Sequence, residues 1–208
     1  MKWITVVCCL LLVGCASLEY AGRQKQELIH TQMLKELERQ SNKSTYPGYT
    51  QRGQLGGYIT RGDAYYSQGK YDLAISAYKK ALELDPKNVY ALNNLGDAYY
   101  KQGKYDLAIS AYKKALEMDP ENVYALSNLG DAYLGQGEYD LAISAYKKAL
   151  EMDPKDVYAL NNLGSLYYIQ GKYDLAISAY KKALEMNPKN VYALKGLEKV
   201  RETQSKIN

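Results

Sequence analysis

The stretch Val89–Asn122, VYALNNLGDAYYKQGKYDLAISAYKKALEMDPEN, decides the fold. It holds two amphipathic runs parted by Gly103, and it closes on Pro120 and a polar residue. Near copies flank it. Gly62, Gly96, Gly130 and Gly164 stand 34 residues apart, and so do Pro86, Pro120, Pro154 and Pro188. The units are 55–88, 89–122, 123–156 and 157–190. Each ends on Pro and then Asn88, Asn122, Asp156 or Asn190. Pro disfavours helix in the residue before it, and an Asn or Asp side chain caps the free N–H groups of a following helix. A first helix, A, is therefore expected over about fourteen residues, ending near Gly69, Gly103, Gly137 or Gly171; Gly suits a helix C-terminus. A second helix, B, follows in YDLAISAYKKALE, with Asp in its first turn and lysines toward its end, an order that suits the helix dipole. Small residues at positions 8, 20 and 27 of each unit let A and B approach closely. The larger Leu, Ile and Tyr side chains fill the layers between units. Each unit then contacts mainly its neighbours, which makes an all-α solenoid with two faces.

In the second unit Leu92, Leu95, Gly96, Tyr99, Ala108, Tyr112, Ala115 and Pro120 occupy positions 4, 7, 8, 11, 20, 24, 27 and 32. The period and these positions resemble the tetratricopeptide repeat (TPR). The resemblance covers residues 55–190 and implies a right-handed superhelix whose A helices line a concave groove through positions 2, 5, 6, 9, 12 and 13. Carried onto this chain, position 2 is Tyr90, Tyr124, Tyr158 and Tyr192. Position 5 is Asn93, Ser127 and Asn161, and position 6 is an expected amide ladder of Asn94, Asn128 and Asn162. Asp63, Asp97 and Asp131 stand at position 9, and Tyr66, Tyr100 and Tyr168 at position 12. Asn offers both donors and an acceptor, and Tyr offers flat, stiff contact area. The expected partner is a protein or peptide segment gripped by its backbone. The plainer reading, that these are ordinary surface residues, stands beside it. TPR domains that clamp a C-terminal carboxylate use Lys and Asn at positions 5 and 9. Here position 9 is Asp three times and then Ser165, so a basic or neutral peptide is the expected guest.

Units two and three agree at 28 of 34 positions, and the differences fall on helix A and the loops. Helix B is identical in all four units from its Tyr through DLAISAYKKALE. This pattern fits tuning of a groove, and it also fits relaxed constraint on exposed residues. The ends depart from the pattern. Tyr58 and Arg61 replace Leu at positions 4 and 7 of the first unit, whose helix A is expected to be partly wet or covered. After Asn190 the chain begins a fifth helix A, but Glu198 and Arg201 stand where the signature Gly and Tyr would be. Residues 191–208 thus read as a polar-faced capping helix and tail.

Composition narrows the function. The chain has 208 residues, net charge +4, 23 Tyr and no Phe, so its aromatic rings nearly all carry a hydroxyl that needs water or a partner. His30 is the only His, and the three Cys lie within the first 15 residues. That leaves no disulfide framework and no zinc ligand set, and neither an enzyme nor a cofactor is expected. The repeats carry 16 basic and 17 acidic residues, which lacks the charge excess that drives nucleic-acid binding. The Lys pairs, from Lys79-Lys80 to Lys181-Lys182, read as a solvated face of helix B.

The opening MKWITVVCCLLLVGCAS has a basic start and an apolar run too short to span a bilayer, which describes a secretory signal peptide; an ordinary one would be cut nearby, for example after Ala16. Leu12-Val13-Gly14-Cys15 resembles a bacterial lipobox. The resemblance implies that residues 1–14 are the signal, with cleavage before Cys15, lipid on its thiol and acylation of the new amino terminus, so that the membrane is reached through a lipid anchor. Ala16 after that Cys implies an outer-membrane address facing the periplasm. A helix is expected from about Leu18 to Gln40, and SNKSTYPGYTQRGQ, residues 41–54, reads as a linker. The function expected from all this is a lipid-anchored cell-envelope TPR adaptor. The alternative is a pilotin-like structural assembly factor acting by self-association or convex-face contacts.

Overall fold

The computed structural model describes residues 47–207, together with Gln32, which is helical and exposed. The signal peptide, Cys15 and all but Gln32 of the helix expected over residues 18–40 lie outside the described residues. Contacts divide the chain into two compact units, Met1–Gly57 and Tyr58–Asn208. The described residues form helices only: α1 (Pro47–Ser67), α2 (Tyr71–Leu84), α3 (Val89–Lys101), α4 (Tyr105–Met118), α5 (Val123–Gln136), α6 (Tyr139–Met152), α7 (Val157–Ile169), α8 (Tyr173–Met186) and α9 (Val191–Ile207).

The punctuation works as the sequence implies. Asn88, Asn122 and Asn190 accept hydrogen bonds from the backbone N–H of Ala91, Ala125 and Ala193 at 2.8–3.0 Å. Asp156 caps α7 in the same way through Tyr158 and Ala159. Gly69, Gly103, Gly137 and Gly171 take φ of 70–81°, the left-handed region that ends each A helix. The linker reading is corrected from Pro47 onward, because α1 starts there. Pro needs no N–H at the first helical position, and extending an existing helix adds a bond per residue without a new nucleation cost.

Helices A and B touch through a Gly–Tyr contact in every unit. A Cβ placed on Gly62, Gly96, Gly130 or Gly164 would come within 2.3–2.7 Å of the ring of Tyr78, Tyr112, Tyr146 or Tyr180. Those rings and the Ala residues beside them form the core with Leu92, Leu126, Leu160 and Leu163. Tyr58 and Arg61 in α1 are half-buried, as the departure at those positions suggested, and the Arg61 guanidinium lies 5.0 Å from the Tyr58 ring. The lysines of helix B sit one turn before its end rather than in the last turn. The first of each of the first three pairs instead covers a Tyr ring of the next A helix: Lys79 over Tyr99, Lys113 over Tyr133 and Lys147 over Tyr167.

Successive A helices touch, α3 with α5 and α7 with α9. Two pairs of successive B helices are parted by furrows of about 420 and 360 Å³, floored by the A helix between them. The A helices therefore line the inner side of the array and the B helices the outer side.

Candidate functional site

Position 9 organises the inner side. Asp97 accepts three hydrogen bonds. One comes from the Tyr112 hydroxyl of its own unit at 2.6 Å, one from the Tyr124 hydroxyl of the next unit, and one from Asn128 Nδ2 at 2.9 Å. Asp63 repeats the pattern one unit earlier with Tyr78, Tyr90 and Asn94 at 2.7–3.1 Å. Asp131 repeats it one unit later with Tyr146, Tyr158 and Asn162. Each Asp thus ties its own helix B to the next helix A. All nine donors are uncharged, so each carboxylate is solvated by the protein without being neutralised.

This arrangement changes the reading of the expected site. The Asn at position 6 is not a free amide ladder, because Asn94, Asn128 and Asn162 each commit a donor to the preceding Asp. Asn93 is buried, 6% exposed, and donates to the cap residue Asn122. Ser127 and Asn161 do the same to Asp156 and Asn190, so position 5 serves the joint between units. Tyr168 is tied to Thr203 of α9 at 2.9 Å and lies under Lys199. In the fourth unit Ser165 replaces Asp and pairs with Tyr180 at 3.1 Å. The next unit there offers Gly196 instead of Asn, and Tyr192 stands 80% exposed.

Eight of the expected residues do converge. A cavity of about 550 Å³ is lined by Tyr66, Asp97, Tyr100, Tyr124, Ser127, Asn128, Asp131 and Tyr158, joined by Lys101, Tyr112, Val123 and Asp156. Tyr90, Asn94, Asn162 and Tyr192 are not among its lining. Burial raises the carboxyl of Asp97 above its usual range, against the pull of its three hydrogen bonds and of Lys101. Burial likewise raises Asp131, and the Asp97 charge adds to this while Lys101 opposes it. Burial and then the Asp97 charge push the Tyr66 hydroxyl up to about 12. The charges of the two carboxylates are therefore felt across the cavity. The helix-B tyrosines were the part sequence reasoning missed, since Tyr112 reads as core. The available signal was pairwise: Asp at position 9 is followed by Asn at position 6 of the next unit three times, and Ser165 is followed by Gly196.

Helix pairs stacked with a fixed period, an inner groove and interdigitated joints define an α-solenoid, an architecture with an extended concave surface. A family model described as Tetratricopeptide repeat matches residues 59–123 and 127–191, and the chain belongs to the tetratricopeptide repeat family. A crystal structure of MamA protein is similar at 32% identity and TM-score 0.68, covering 73% of this chain and 83% of that one. YrrB, described as a TPR protein with an unusual peptide-binding site, is similar at 25% identity and TM-score 0.61, covering 72% and 77%. The first TPR of Spaghetti (RPAP3), bound to the HSP90 peptide SRMEEVD, is similar at 29% identity and TM-score 0.55, covering 58% and 96%. No curated protein matches the chain. Tetratricopeptide repeats are protein-interaction modules, and two of these structures are described by a peptide or a peptide-binding site.

Proposed function

We propose that this protein is a lipid-anchored adaptor of the bacterial cell envelope that holds a segment of a partner protein in its inner groove. The observation that carries the groove reading is the cavity between the A helices, lined by tyrosines whose rings are presented and not packed away: Tyr124 and Tyr158 are 52% and 51% exposed. The anchor reading rests on Leu12-Val13-Gly14-Cys15 and on the short apolar run before it. Several acyl chains would hold the array firmly at a membrane, and Ala16 favours the outer one. The test is in-cell cross-linking in the native envelope with identification of the captured protein. Loss of that capture in a Tyr100→Ala, Tyr124→Ala variant with intact helicity supports the groove. Undiminished capture overturns it. Separately, Cys15→Ser is expected to release the protein from the membrane fraction. Retention of the variant with attached lipid sinks the anchor.

A second reading has its own observation. Leu73, Leu107, Leu141 and Leu175 are each about half exposed, at the same position of the four B helices. A periodic apolar row on the outer side suits self-association, which would make the protein a structural assembly factor. Sedimentation of the full chain over a range of concentrations tests it: a constant monomer mass removes this reading.

A further inference from the structure

The lining of the inner cavity holds more acidic than basic side chains. It sets Asp97, Asp131 and Asp156 against a single cation, the exposed Lys101. Asp97 and Asp131 each accept three hydrogen bonds, all from neutral Tyr and Asn donors. A carboxylate has about four lone-pair sites, and three donors reach each of these two, so each keeps room for one more. Around them stand Tyr66, Tyr100, Tyr124 and Tyr158, whose π-faces attract cations. The chain already uses this chemistry. Lys101 sits 5.9 Å from the Tyr100 ring centroid, and lysines cover Tyr99, Tyr133 and Tyr167 outside the cavity.

We infer that the cavity selects a cationic side chain of the bound peptide, arginine ahead of lysine, seated between the tyrosine rings and donating to Asp97 and Asp131. This rests on the groove being the peptide site. Arginine leads for a geometric reason: its planar guanidinium stacks on a ring and still donates along its edge, whereas an ammonium is a compact, strongly hydrated point charge. Lys101 is then the internal competitor, since its charge acts on both carboxylates. A peptide ending in acidic residues meets the opposite field and is rejected.

The test uses the full chain, immobilised, and pools of blocked octapeptides. The pools are random except for two central positions fixed as Arg, Lys, Gln or Glu. Retention of the Arg pool at least about tenfold above the Gln pool, with the Glu pool lowest and the Lys pool between Arg and Gln, is the expected result; tenfold corresponds to about 1.4 kcal/mol. The preference should fall in the isosteric Asp97→Asn, Asp131→Asn variant. Should that variant lose helicity, the second probe is Lys101→Gln, an exposed substitution, which should raise Arg-pool retention. Equal retention of all four pools, or an Arg preference that survives in a folded Asp-to-Asn variant, overturns the inference and leaves the groove reading intact. An unchanged Arg preference in Lys101→Gln overturns it as well. If no pool is retained while cross-linked capture in the envelope also survives groove substitution, both readings fall.

Discussion

At the residue scale the position-9 carboxylate holds a buried hydroxyl in place. Tyr112 is 1% exposed, and its hydroxyl has Asp97 as its acceptor. Asp97→Ala strands that buried donor, a loss of about 1–3 kcal/mol, to be read from urea unfolding of the folded chain. The isosteric Asp97→Asn adds a pH signature. Burial raises the folded pKa of Asp97 above its ordinary 3.8. Between 3.8 and that raised value the native state binds more protons than the unfolded one, so this group's stabilisation is fully present below the window and falls as pH rises through it. The stability difference between the parent chain and Asp97→Asn should therefore shift against the parent as pH rises above about 4. A difference that is flat, or that moves in favour of the parent, would show that hydrogen bonding outweighs burial at this carboxyl.

At the scale of the helix, glycine makes two opposite predictions. Gly130→Ala places a Cβ 2.7 Å from a ring carbon of Tyr146, a fully buried side chain with nowhere to go. Better helix propensity returns at most about 1 kcal/mol, while overpacking costs about 1–3 kcal/mol, so the variant should melt at lower temperature. Gly53→Ala in α1 meets nothing within 4 Å and should stabilise by about 0.5–1 kcal/mol. Thermal melts by circular dichroism separate the two signs. The helices themselves were legible because cap, left-handed Gly and Pro recur in fixed order, each with a local cause. The start of α1 was not, because Pro47, Gly48 and Gly53 are read as breakers one at a time. A helix continued from a stable repeat tolerates them together. The groove was legible only in part. Family positions place a side chain on a face, but they do not say whether its amide already donates within the protein, as those of Asn93 and Asn94 do.

At the scale of the whole array, the three Asp centres join the first unit to the second, the second to the third and the third to the fourth. At the fourth unit Ser165 and Gly196 stand in place of Asp and Asn, and Tyr192 is left in solvent. Ser165→Asp should let Tyr180 and Tyr192 both donate, adding about 0.5–1.5 kcal/mol and reducing the solvent exposure of Tyr192, which chemical labelling of tyrosines would report. Neighbour coupling also sets the order in which a solenoid comes apart. The joint without its carboxylate is the place to start unzipping, so backbone amides of α9 and then α8 should exchange with deuterium ahead of those in α3 to α5. Melting then has a direction along the chain, and the tyrosine-lined cavity sits on the carboxylate-tied joints, where it would outlast the loss of the last helices.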